Sequence, residues 1–403
     1  MMGLKGVAVV VSICLAVYLT QLQTNGSNRP ADKPAPAAAG QKTGSVAAPA
    51  KVLEGAPYHG MAIQVNSSGE HLHWFKKLTD DIADLGADTI LISTAGYQEN
   101  SSSGVIFVDQ RKTLSGTEWD DLLQHARRRG LRVVLMPIVL LTNPRTSTEW
   151  RGVIQPPNWG EWWASYTEYM MHYAKIASRN NVDIMIIGSE LISTENQPEM
   201  WDKLIARIKT VYHGKLSYSS NWDHYEKVPL WHKMDLVCMT TYHKLSDTEN
   251  PPQEELNAAW KPIKRDILAW QKKIGKPILF TEVGWHSQEG TSIEPWNYYR
   301  KNSHSQAGLE EQAKCYKSFI HAWADEIGKA DAIAGALWWE WVWYDDNPKD
   351  KTQEYIKAEC LKGYTPKGKP AEKVLRNWFN QVQAARPKPD SIAASSQPAA
   401  PLP

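Results

Sequence analysis

Short strand-like runs and helical stretches alternate along this chain, and that alternation limits the fold more than any other feature. Eight runs read as strands: 59–65, 89–94, 132–141, 183–190, 215–220, 235–242, 277–284 and 333–339. Most are continuously apolar rather than alternating with polar residues, as in strands covered on both faces. Between them lie amphipathic patterns. Phe75, Leu78, Ile82 and Leu85 share one helical face before a stop at Gly86, and Trp119, Leu122, Leu123 and Ala126 share another. Further helices are predicted near 161–180, 197–212, 254–274, 307–328 and 370–383, and only 225–234 is too short for one. Eight alternations with no block of strands alone predict an α/β fold, a closed (β/α)8 TIM barrel. Pro137 interrupts the third run. A central strand tolerates proline only where pairing gives out, so Pro137 is expected near that strand's carboxyl end.

The flanks have a different character. Residues 6–19 are apolar behind Lys5, the length of a signal-peptide core and short for a span of ~20 residues. Residues 1–24 therefore read as a signal peptide or N-terminal membrane anchor, and export is expected on either reading. Residues 25–54 are rich in Ala and Pro and read as a flexible tether, 55–385 as the barrel domain, and 386–403 as a disordered tail. The protein is expected outside the cytoplasm (periplasmic, at the cell surface or secreted) and monomeric, with membrane attachment only through its N-terminus.

A net charge of +1, from 45 basic and 44 acidic side chains, offers no field for nucleic acid. The run Arg127-Arg128-Arg129 reads as a helix C-terminus closed by Gly130. Trp is abundant, 19 against 5 Phe. Trp162, Trp201 and Trp270 fall at helical spacing and read as core, whereas Trp222, Trp285, Trp338, Trp339 and Tyr97 lie at or just past strand ends, where a flat ring can stack on a sugar. Cys238 reads as a buried apolar residue, and a Cys315–Cys360 bridge is left open.

Glu190 and Glu282 each close a short apolar run, the fourth and the seventh. A carboxylate there is costly unless solvated or paired, so its placement calls for a reason. In a (β/α)8 barrel the strand carboxyl ends share one face, where active sites are built. Two carboxyls across that mouth suit glycoside hydrolysis with retention, which needs them ~5–5.5 Å apart. One must be a protonated acid, its pKa raised in an apolar setting. The other must be an ionised nucleophile held by hydrogen-bond donors. Arg151 is a candidate substrate contact, with a loop salt bridge as the default, and a structural pairing of Glu190 with an arginine such as Arg151 is the alternative to catalysis. Glu340 is a third candidate functional carboxylate, with the default that it faces the helix layer or pairs with a base.

The words Trp150-Arg151-Gly152, Trp163-Ala164-Ser165-Tyr166, His172-Tyr173-Ala174, Val182-Asp183, Ile187-Gly188-Ser189-Glu190-Leu191 and Thr281-Glu282-Val283-Gly284-Trp285 resemble those of glycoside hydrolase family 113 over residues 57–345. The resemblance implies a retaining (β/α)8 glycosidase, most simply an endo-β-1,4-mannanase acting on a polysaccharide or oligosaccharide without a cofactor. It implies Glu190 as acid/base, Glu282 as nucleophile, Tyr242 as the tyrosine orienting the nucleophile, and Trp338 or Trp339 as the aromatic floor. Much of that clan has Asn before the acid/base, where it bonds the sugar 2-hydroxyl; here the position is Ser189. Met136 and Ile138 flank Pro137 where relatives are expected to be polar.

Two other classes stay open on the residues alone. A non-catalytic carbohydrate-binding barrel fits the tether and the tryptophans, but does not explain two carboxylates at strand ends. A metal hydrolase would draw on His59, His71, His73, His243 and His286. The His71-Leu72-His73 pair enters a helix, where alternate positions point apart, so no metal is expected. No Gly-x-Ser-x-Gly word suggests a serine hydrolase.

Overall fold

The computed structural model describes residues 55–329 and 332–386. The expected leader, tether and all but the first residue of the tail lie outside them. Eight strands, β1 (Tyr58–Val65), β2 (Thr89–Gln98), β3 (Arg132–Leu141), β4 (Ile184–Ser189), β5 (Lys215–Ser220), β6 (Val237–Thr240), β7 (Ile278–Val283) and β8 (Ile333–Trp338), close into one barrel in sequence order. Every neighbouring pair is parallel, β8 to β1 included. The (β/α)8 expectation holds.

Alternation along the strands sorts side chains into two cores. Ala62, Leu91, Val134, Ile184, Ile186 and Leu279 fill the barrel. Met61, Ile63, Ile90, Ile92, Met185, Ile187 and Phe280 face outward into the helix layer. That layer consists of α1 (Leu72–Asp84), α2 (Gly116–Arg128), α3 (Trp159–Arg179), α4 (Pro198–Lys209), α5 (Gln253–Ile274), α6 (Gln306–Trp323), α7 (Lys351–Lys362) and α8 (Pro370–Ala384). Its helices start where sequence chemistry says they should. Ser115 and Glu118 form a reciprocal capping box on α2, Asn158 caps α3, and Pro198 opens α4. Gly275, at φ +66°, ends α5 in the left-handed conformation that glycine adopts without penalty. Trp162 and Trp201 are core as expected, and Trp270 is half-buried against Tyr225.

Pro137 sits opposite Thr94 in an unbroken β2–β3 ladder, while β3 pairs with β4 only at Val134 and Leu135. Its missing N–H therefore falls past the end of the β3–β4 pairing, where nothing is lost. The 225–234 connection holds only two short 3-10 turns, Tyr225–Lys227 and Trp231–Lys233. Helix α7 was not anticipated from sequence. The three described thiols, Cys238, Cys315 and Cys360, are free and buried, so no Cys315–Cys360 bridge forms.

The amino-terminal face is tied by Asp88. Its carboxylate accepts from the His59 amide at 3.0 Å and Arg132 Nη2 at 2.7 Å, and also meets Arg386. Arg132 in turn donates to the carbonyls of Ala56 and Pro57 at 2.6 Å each. A hydrogen bond from the His59 side chain, followed by the charges of Arg132 and Arg386, holds the Asp88 carboxyl far below the usual carboxylate range despite its burial. Among the described residues no helix is long and apolar enough to cross a membrane.

Candidate active site

Strict alternation would send Glu282 the wrong way. Leu279 faces the barrel interior and Phe280 the helix layer, so position 282 should face outward with Phe280. The β7–β8 register shifts between Phe280 and Val283, and the β6–β7 register shifts so that Thr240 pairs with Glu282. Val283 then packs outward, and Glu282 comes within reach of Tyr242, a member of the interior cluster.

Strand β4 makes the same correction one step earlier. Its register against β5 shifts between Ile186 and Ser189. Ile187 faces outward, and so does the following position: a Cβ on Gly188 would lie 2.7 Å from the Trp201 ring and 2.9 Å from Tyr218. Glycine is needed there. Glu190 follows at φ +56°, rare for a residue with a side chain, and its amide donates to the Ser219 carbonyl at 2.9 Å.

Both carboxylates are buried. Tyr242, two residues beyond β6, donates its hydroxyl to Glu282 Oε2 at 2.9 Å. Arg151, on the 3-10 turn Arg151–Val153 after β3, donates to Glu190 Oε2 at 2.5 Å and through Nε to the Ser189 carbonyl at 3.1 Å. Burial pushes both carboxyls upward. After burial, the nearby charge of Glu190 is the largest influence raising Glu282, and Arg151 draws both back down. Asp223 adds a further rise at Glu190. Two carboxylates in one dry site cannot both ionise freely, so the pair holds its first proton well above ordinary carboxylate pH. The guanidinium lies on Glu190, not Glu282, the pairing that the sequence had offered as the structural alternative for Glu190.

The chain belongs to glycoside hydrolase family 113. The family model matches residues 73–369. Among solved structures, a complex of a GH113 β-1,4-mannanase superposes with a TM-score of 0.67 at 24% identity, covering 81% of this chain and 99% of that one. The GH113 β-mannanase AaManA from Alicyclobacillus acidocaldarius, in complex with ManMIm, gives 0.66 at 27%, covering 81% and 98%. A GH5_18 protein from Streptomyces cattleya gives 0.54 at 16%, covering 83% of each chain, a likeness of fold alone. A comparison with curated proteins finds no match.

In this GH113 barrel the expected aromatic sites divide. Trp339 lies in the interior cluster with Tyr242 and Tyr364, and its peptide bond to Glu340 is cis. Trp338, its strand neighbour, points the other way, stacking on Tyr316 at 4.5 Å and meeting Trp378 edge-on. It is therefore not a floor for sugar. Trp285 is likewise fully buried in the helix layer, against Trp260 and Tyr316, and is no platform. Tyr97 is also closed off: it is 3% exposed, with Phe107 and Lys112 against its ring. Trp222 remains half-buried at the rim, stacked on Trp296 at 5.6 Å and beside His243. Ser189 is buried next to Glu190 with its Oγ unpartnered, free to meet a hydroxyl.

Glu340 corrects another expectation. It neither faces the helix layer nor pairs with a base; Gln64 Nε2 donates to its Oε2 at 2.6 Å. Its carboxyl, pushed up to about 7 by burial, is near enough to raise that of Glu282. Gln64, Asp223 and Trp296 were missed in the sequence. Gln64 was findable, since it alternates with the inward Ala62 on β1. Trp296 and Asp223 lie in loops with no period to betray them. Among the described residues no cluster of three or more His, Cys, Asp or Glu could hold a metal. His243 and His286 are kept neutral by burial, at about 4 and about 3.

Proposed function

We propose that this GH113 protein is a retaining β-mannanase working by double displacement. One observation carries the reading: the buried carboxylates closing β4 and β7 share one mouth closely enough that the charge of Glu190 raises the pKa of Glu282. Glu282 attacks the anomeric carbon while Glu190 passes its proton to the departing glycosidic oxygen, leaving a glycosyl ester on Glu282. Glu190, now ionised, takes a proton from water, which attacks the same carbon and releases Glu282. Arg151 suits this cycle, because a guanidinium on Glu190 stabilises the anion formed as the proton leaves and makes Glu190 a stronger acid. The Tyr242 hydroxyl orients Glu282 and stabilises its charge. Mannan as substrate rests on the GH113 β-mannanases that the chain resembles.

The test is turnover of β-mannan, glucomannan, xylan and β-glucan, with NMR of the first-formed anomer. Retention, total loss of turnover in Glu282→Ala, and its rescue by azide as a glycosyl azide of inverted configuration are expected. Binding without reducing-end release would instead make this a carbohydrate-binding barrel. Export is part of the same proposal and rests on the apolar residues 6–19 followed by the Ala/Pro-rich stretch. Deleting residues 1–24 should leave the protein in the cytoplasmic fraction.

A further inference from the structure

The Gln64–Glu340 hydrogen bond stands between two cavities at the mouth. One, of about 70 Å³, is lined on its far side by Tyr298, Tyr299 and Tyr364. The other, of about 280 Å³, runs past Trp74 and Trp343, whose rings lie 4.0 Å apart. Gln64 and Glu340 line both. The first cavity adjoins the catalytic pair, since Tyr364 packs 6.0 Å from Tyr242, the residue holding Glu282.

The charges of that first cavity are Glu340, Glu359 and Lys362. Lys362 is paired with Glu359 at 2.7 Å, and no cation among the described residues pairs with Glu340. Gln64 donates its amide N–H₂ to Oε2, which leaves its own carbonyl oxygen free. Glu340 Oε1, the Gln64 oxygen and the second amide hydrogen then face open space between aromatic walls. Adjacent acceptors with one donor, beside flat rings, match the hydroxyls of a sugar. They offer nothing to a sugar carboxylate, which Glu340 would repel.

We propose that Glu340 and Gln64 form a hydroxyl-reading pair that binds a neutral sugar ring of the substrate and rejects uronates. The inference deepens the mannanase reading and rests on it. Replacing Glu340 by Gln keeps shape and one acceptor but removes the charge. Hydrogen bonds to charged groups imply a loss of about ten- to a hundredfold in kcat/KM.

The experiment measures kcat and KM for wild type, Glu340→Gln and Gln64→Leu on β-1,4-mannotetraose and on the β-1,4-linked mannuronate tetramer, with melting temperatures alongside. Expected are turnover of mannotetraose but not of the mannuronate by wild type, the stated loss in Glu340→Gln at an unchanged melting temperature, and a smaller loss in Gln64→Leu. Should Glu340→Gln fail to fold, Gln64→Leu carries the reading. Undiminished kcat/KM in a folded variant, or wild-type cleavage of the mannuronate as fast as mannotetraose, overturns the pair while leaving the mannanase standing. A wild type inactive on every neutral polymer overturns both.

Discussion

At Glu190 three influences meet: burial and Asp223 raise its pKa, and Arg151 lowers it. In the proposed double displacement, the pair it forms with Glu282 works with one proton between them. Below the first apparent pKa no carboxylate is free to attack, and above the second no acid remains, so kcat/KM should trace a bell against pH. Arg151→Met removes a positive charge that lowers both carboxyls. Both limbs should therefore move to higher pH, and limbs that stay put or move down would show that Arg151 does not govern the pair. Glu190→Ala should lower turnover by about 10²–10⁴-fold on substrates with a poor leaving group. A steady-state assay on mannotetraose beside an activated aryl mannoside checks this, with the aryl glycoside much less affected. The two glutamates were legible in the sequence because charges at the ends of apolar runs stand out. Tyr242 and Arg151 were named beside them as candidates, whereas Asp223 was not, since it comes from a loop that carries no periodic signal.

Among the elements, the strands came through the sequence well and their side-chain directions less so. The alternation that sorted Ala62 from Met61 fails at β4 and β7, where register shifts turn Glu190 and Glu282 into the mouth. A pattern of period two cannot announce its own interruption. The same limit explains Trp338 and Trp339: adjacent strand residues must face opposite ways, but sequence does not say which is which. Helix α7 was invisible for another reason. Its sequence, Lys351 to Lys362, is mostly polar, and among its described side chains only Cys360 is buried, so no apolar stripe marks it. Trp338→Ala should cost about 3–5 kcal/mol of stability, as buried aromatic truncations do. Trp339→Ala should chiefly lower kcat/KM. Urea unfolding and kinetics on both variants separate the roles, and equal stability losses would undo the distinction. Gly188→Ala should destabilise by about 1–3 kcal/mol, because its methyl meets Trp201 and Tyr218 rather than space.

Across the whole molecule, the barrel is closed without disulfides, and its amino-terminal face depends on Asp88. Breaking a buried pair leaves Arg132 uncompensated, so Asp88→Asn should lose about 3–5 kcal/mol in urea unfolding at neutral pH. The Asp88 carboxyl titrates lower when folded than when unfolded. Its contribution is therefore complete above the ordinary aspartate value of ~3.9 and fades as pH falls below it. The gap between wild type and Asp88→Asn should close in that acid window, and a gap constant down to pH ~2 would mean the carboxylate is not what stabilises this face.

Asp88 also fixes where the ends of the folded body lie. Ala56 and Pro57 are gripped through Arg132, and Arg386 reaches the same carboxylate, so both emerge beneath the barrel, opposite the glutamates. A bead, surface or fused protein joined through either end would hold the barrel by its base and leave its mouth turned outward.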